Sequence, residues 1–344
     1  MDTALSRVTQ LDTVSPTAAV VYPILLPDRT ELLVTLPSGL RRFTVPVGEP
    51  ALTQEVRQLR RMLERRTTRQ YLRPAQQLYD WLVRPLEAEL AAAKIDSLVF
   101  VPDGALRTIP MGALHDGRRF LVEKYALAIT PGLKLTDPRP LDRKNPRMLA
   151  VGVTESVHGF PPLPEVEAEL VALREVFKGG TTLLNAKFSL ANIERELKTG
   201  AYTMVHVASH GEFGGDVDKT FLLAYDGKLT IDRLDQLIGL FKYRDEPLEL
   251  LTLSACDTAA GDDRAALGLA GVAVKAGARS AVATLWSVND EASAELIADF
   301  YRELKGPTVS RAMALQRAQL KVLKDPRYQH PGFWSPFLLI NNWL

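Results

Sequence analysis

From Leu98 onward, short runs of apolar, often β-branched residues alternate with amphipathic stretches, and this alternation narrows the possible folds more than any other feature of the chain. The runs are Leu98–Val101, Met148–Val153, Met204–Ala208, Leu248–Leu253 and Ser280–Leu285. A strand with one wet face alternates apolar and polar residues, whereas a near-continuous apolar run suits a strand buried on both faces. The intervening stretches carry apolar residues at helical spacing: Glu165–Phe177, Leu190–Lys198, Ile231–Gly239, Ala266–Ala276, Asp290–Leu304 and Val309–Leu323. Strand–helix–strand order requires crossover connections, hence a mostly parallel sheet covered by helices on both sides. The expectation is an α/β protein built as a three-layer α/β/α sandwich. The terminal run Trp334–Ile340 is expected as a last edge strand.

The first part of the chain reads differently. Ala18–Leu26, Glu31–Leu36 and Arg42–Val47 are strand-like runs punctuated by Pro27-Asp28 and Pro37-Ser38-Gly39. Two helical stretches follow, Leu52–Arg66 and Pro74–Ala93. The second places Leu78, Leu82, Leu86 and Leu90 on one stripe that needs a partner surface. The expected division is an N-terminal β-strand and basic-helix extension, residues 1–73, and a larger domain, residues 74–344. Pro138–Pro146 is the best linker candidate. The basic run Arg57–Arg69 reads as a solvated helix face, since no aromatic residues interleave with it as they would in a strand-binding groove.

Composition removes several function classes. With 42 Lys and Arg against 41 Asp and Glu, the chain has no bulk charge for gripping nucleic acid. Its one cysteine, Cys256, excludes a disulfide framework and any multi-thiolate metal site. No apolar run is long enough to span a bilayer, and the N-terminus lacks the basic region of a signal peptide. A cytoplasmic protein without nucleic-acid or membrane partners is expected.

In open α/β sheets, sites form beyond the carboxyl ends of strands. Thr154-Glu155-Ser156, Ser209-His210-Gly211-Glu212, Ser254-Ala255-Cys256-Asp257-Thr258 and Trp286-Ser287-Val288-Asn289-Asp290 occupy those places. A thiol and an imidazole on neighbouring strand ends are the minimum for nucleophilic catalysis. The histidine raises the thiolate fraction or takes the proton. Gly211, lacking Cβ, lets its N–H approach a substrate carbonyl. Each residue also has a plainer reading. A lone cysteine is often a buried hydrophobe; Asp257 forms turns; Asp290 and Asn289 compete as the N-cap of the next helix. Ser209 and Ser254 are weaker nucleophile candidates, because neither stands in a Gly-x-Ser-x-Gly elbow. His206 and His210 have metal-pair spacing, but four residues of strand span about 13 Å, so His206 is read as a core histidine.

Together the segments Leu98–Pro110, Val205–Gly211, Leu251–Ala259 and Ala283–Asp290, with Tyr79–Leu90 before them, resemble the CHAT domain. This is a caspase-like, separase-related cysteine protease family often joined to TPR repeats. The resemblance spans Pro74 to Leu344 and implies a caspase-like fold. It implies His210 and Cys256 as the catalytic pair, and the N–H groups of Gly211 and Cys256 as the oxyanion hole. Asp290, with Asp257, becomes the candidate for an S1 pocket that takes a basic P1 residue. The implied activity is a cysteine endopeptidase acting on a protein or peptide, without metal or cofactor. Its control would come from a TPR or sensor region that this chain lacks. The Gly and Asp content of the loops Gly211–Lys219 and Asp257–Ala265 makes them the segments that a partner or ligand would move. The competing reading is a catalytically silent caspase-like scaffold that binds a partner protein.

Overall fold

A computed structural model of the chain describes residues 15–132, 136, 139–213, 220–239, 247–258 and 277–344; for Phe213, Ile231 and residues 255–258 it describes the backbone only. The expected helix Ala266–Ala276, most of the two expected control loops and the polar stretch around Lys242 and Arg244 lie outside these residues. The strands are β1 (Ala18–Leu25), β2 (Thr30–Leu36), β3 (Gly39–Val45), β4 (Ser97–Phe100), β5 (Ala126–Ile129), β6 (Met148–Gly152) and β7 (Thr181–Leu184). They continue with β8 (Met204–Phe213), β9 (Phe221–Ala224), β10 (Gly227–Thr230), β11 (Leu250–Thr258), β12 (Ser280–Thr284) and β13 (Phe337–Asn341). The helices are α1 (Glu49–Glu64), α2 (Leu72–Leu82), α3 (Glu87–Ala92), α4 (Val166–Val176), α5 (Leu190–Thr199), α6 (Ile231–Gly239), α7 (Asp290–Leu304), α8 (Arg311–Lys324) and α9 (Pro331–Trp334). Among the described residues no helix is long and apolar enough to cross a membrane.

The thirteen strands of the described residues belong to one sheet, with β6, β8, β11 and β12 parallel neighbours. Beyond β12 lies β13, which runs against it, and β5, β4 and β1 run with β13. Each half of the sheet therefore has a parallel core, the two cores point opposite ways, and β9–β10 and β2–β3 are added by antiparallel pairing. The expected edge strand is a correction: β13 sits in the middle of the sheet and joins the halves. Phe337, Leu339 and Ile340 are at most 2% exposed, so the strand is covered on both faces, which an edge position does not offer.

Helices cover both faces, as the alternation requires. On one side Leu170 and Leu173 of α4, Leu296, Ile297 and Phe300 of α7, and Leu315 of α8 share a core with α1 and α2. On the other, Ile193 and Leu197 of α5 pack with Leu234, Leu237 and Ile238 of α6. Polar residues start these helices: Ser189, Asn289 and Ser310 each accept an N–H two or three residues into α5, α7 and α8. The leucine stripe at 78, 82, 86 and 90 is fully buried, but the helix carrying it breaks at Val83. Pro85, with no N–H and a ring that clashes with the preceding turn, explains the break.

Two other expectations change. Residues 139–146 are no free linker, since Leu141 is buried and Arg143 donates to the Leu304 and Val309 carbonyls. The basic helix is not solvated throughout: Arg57, Arg61 and Arg65 are exposed, whereas Arg60 lies on the buried face beside Leu52, Val56, Leu59 and Leu63. Strands β1–β3 continue the same sheet through the β1–β4 pairing.

Candidate active site

Parallel pairing sets the ends of β6, β8, β11 and β12 along one edge of the sheet. Met204 to Ala208 pair in register with Leu250 to Ser254. The register then slips, and Cys256 stands opposite Gly211 and Asp257 opposite Glu212. Between these points β8 has two residues, Ser209 and His210, where β11 has only Ala255. This is a bulge, which bends a strand and re-aims its side chains. It falls on the candidate histidine and brings the backbone of Cys256 beside the residue that follows His210. The side chains of Cys256 and Asp257 lie outside the described residues.

The bulge separates two neighbouring side chains. Ser209 is buried and donates to the Leu223 carbonyl at 2.6 Å, which occupies the rival nucleophile in a structural bond. His210 is partly exposed. Its Nε2 lies 2.7 Å from the Pro161 carbonyl oxygen. A carbonyl only accepts, so Nε2 carries the hydrogen and Nδ1 is the basic nitrogen of the neutral ring. The ring also packs on Phe160, centroids 5.1 Å apart, and Phe160 abuts Phe221. The segment that supplies these contacts leads from β6 to α4. It is held by Leu163 N–H to Thr154, Phe160 N–H to Val157 and Ser156 Oγ to Phe160. Pro161 and Pro162 fix two further φ angles. Sequence reasoning missed Pro161 because a backbone carbonyl has no residue-type signature.

At the end of β12, Asn289 is the N-cap of α7 and accepts the Ala292 N–H at 3.0 Å. This settles the competition between Asn289 and Asp290. Asp290, freed from capping, reaches across to accept the Glu165 N–H at 2.9 Å. Burial pushes its carboxyl above the usual range, the Glu165 N–H pulls it back, and the negative charges of Glu169 and Glu165 push it further up.

Behind the site, between the sheet and helices α4 and α7, lies a buried polar cluster. His206 is fully buried, as expected of a core histidine, with Nε2 2.8 Å from Glu169 Oε1. Tyr301 donates to Thr252 at 2.7 Å, and Ser254 Oγ lies 3.4 Å from Glu169 Oε2. His206 thus faces the core and His210 the Pro161 segment. The strand of the first motif, β4, belongs to the oppositely directed half of the sheet, so Leu98–Phe100 lie away from this edge.

The sequence profile of the CHAT domain matches residues 72–342. No curated protein sequence matches the chain. Among solved structures, the fold is similar to that of the separase–securin complex of Saccharomyces cerevisiae, with TM-score 0.62 and 10% identity over 99% of this chain and 31% of that one. It is also similar to the Arg-specific cysteine proteinase gingipain R, with TM-score 0.53 and 9% identity over 86% of this chain and 74% of that one. A complex of the pro- and mature domains of the Porphyromonas gingivalis enzyme gives TM-score 0.51 at 9% identity, over 86% and 76% of the two chains.

Proposed function

The chain belongs to the CHAT domain family, and on that premise we propose that it is a cysteine endopeptidase working through Cys256 and His210. One observation carries the reading: the slip in register that sets Cys256 opposite Gly211, one residue beyond a histidine whose Nε2 is already bonded. A ring anchored through Nε2 offers Nδ1 to a neighbouring thiol. In the proposed reaction His210 Nδ1 takes the Cys256 proton and the thiolate attacks the scissile carbonyl carbon. The N–H groups of Gly211 and Cys256 hold the oxyanion, each worth about 3–4 kcal/mol in the transition state. The imidazolium then protonates the leaving amine, the C–N bond breaks, and an acyl-enzyme remains. Water, deprotonated by His210, releases the acid.

Asp290 sits on the same sheet edge and is the proposed S1 carboxylate for a basic P1 residue, with Asp257 the second candidate. A protein is the proposed class of both substrate and regulatory partner, the latter a TPR or sensor region.

The test is a panel of fluorogenic peptides with Arg, Lys, Asp or Leu at P1, read against Cys256→Ala and His210→Ala. Turnover of the Arg and Lys peptides should fall by ~10³-fold or more in each variant. Turnover that survives Cys256→Ala would remove the thiol mechanism, and preference for Asp at P1 would remove the role of Asp290. Silence on every peptide, with and without added partners, would favour the scaffold.

A further inference from the structure

An arginine on the inner face of an amphipathic helix needs a reason, because burying an unpaired guanidinium is costly. Arg60 of α1 is 7% exposed. Its guanidinium donates to Glu64, to the Thr108 carbonyl at 2.7 Å and to the Leu285 carbonyl at 3.1 Å. The same group lies 4.5 Å over the Trp286 ring. Just past the helix, Arg66 donates to the Ser287 carbonyl and stacks on Phe333 at 5.1 Å. Two guanidinium groups thus hold two alternate carbonyls of the turn that leaves β12. The ring between those carbonyls is held as well, since Trp286 donates to the Gly332 carbonyl at 3.4 Å. Gly332 has no room for a side chain; a Cβ there would meet the Leu63 carbonyl of α1 at 2.2 Å. Two residues beyond Ser287 come the cap Asn289 and then Asp290.

We propose that Arg60 and Arg66 are positioning residues for substrate specificity: they fix the Leu285–Asn289 turn and, through it, the place of the Asp290 carboxylate. The inference rests on the reading of Asp290 as the S1 residue. Asp290 is tied by the Glu165 N–H, by helix α7, whose first residue it is, and on its N-terminal side by the turn that the arginines hold. Helix α1 ends before residue 72, where the family match begins, so the specificity turn is held by an element outside the matched span. Lysine cannot replace arginine here, because one ammonium cannot both bridge two distant carbonyls and stack on an indole.

The experiment compares Arg66→Ala, Arg60→Lys and Arg66→Lys with the wild type in three measurements. For the P1 Arg peptide, KM should rise by about ten- to a hundredfold in Arg66→Ala and Arg60→Lys, the loss falling on KM rather than kcat. Arg66→Lys, which keeps one donor, should recover part of it. Alkylation of Cys256 by iodoacetamide, which needs the thiol but no pocket, should keep its rate. Amide exchange should quicken about tenfold in residues 287–292 and stay unchanged in β12. Unchanged KM in both variants of an enzyme that cleaves basic peptides would overturn this inference alone, as would unchanged exchange at 287–292. A wild type that cleaves only non-basic peptides, or none, would overturn the reading of Asp290 and this inference with it.

Discussion

At the scale of single residues, the site depends on groups whose partners are chosen for them by neighbours. Asp290 is the clearest case. A carboxyl raised by burial is more easily protonated in the folded chain than in the unfolded one, so ionising it costs stability. That cost is absent below the unfolded-state pKa and develops as pH rises through the folded value. Asp290→Asn keeps an oxygen for the Glu165 N–H and removes the charge. It should therefore raise Tm at pH 7 and leave Tm unchanged at about pH 3, while discrimination for Arg over Leu at P1 falls roughly a hundredfold. Thermal melts at the two pH values and paired kinetics check both halves; a Tm that drops at pH 7 would show that the carboxylate is stabilising. In the wild type, 1/KM for the Arg peptide should fall as pH drops through the Asp290 pKa, above the ordinary carboxylate range, and Asp290→Asn should lose that dependence. The plain capping role that sequence allowed for Asp290 belongs instead to Asn289, because a cap is decided by backbone geometry that two adjacent polar residues satisfy equally well on paper.

At the scale of elements, α7 and the turn before it act as one piece. Asn289 stops the turn and starts the helix, so its loss should cost about 1 kcal/mol of stability. Because Asp290 is the next residue, Asn289→Ala should also raise KM for basic peptides, whereas Asn289→Ser, which still accepts the Ala292 N–H, should do neither. Urea unfolding with parallel kinetics measures both; a stability loss without any change in KM would uncouple the cap from the proposed S1 role of Asp290. The β8 bulge is the other decisive element. Its strands were legible as apolar runs, but both extend past their expected ends, Ala208 to Phe213 and Leu253 to Thr258, so His210 and Cys256 lie within paired strands rather than beyond them. Polar residues there hid the extension, because ladder bonds are made by backbone and are indifferent to side-chain type.

At the scale of the whole molecule, one sheet carries both halves. Val20, Val21, Leu32, Val34, Leu52 and Leu59, all from the first part of the chain, are fully buried in the core that includes α7 and α8. A fragment cut to residues 72–344 would lose these residues and leave β4 with an unpaired edge. It should show no cooperative thermal unfolding and should associate, as followed by circular dichroism and gel filtration. A sharp transition near the Tm of the full chain would instead show that the family-matched span folds alone.

The sequence by itself determined the fold class, the succession of strands and helices, and the four segments that meet at one sheet edge, because burial on both faces and helical amphipathicity are written in local spacing. It also offered His210 and Cys256 as a candidate pair, since few residue types perform such chemistry, whereas Asp290 came forward only through the family resemblance. Tertiary structure alone decided the central place of β13, the bulge that aims His210, the Pro161 carbonyl behind it and the inward turn of Arg60. Each of these depends on backbone groups or on contacts between residues far apart in the chain, and neither leaves a trace in the order of side chains.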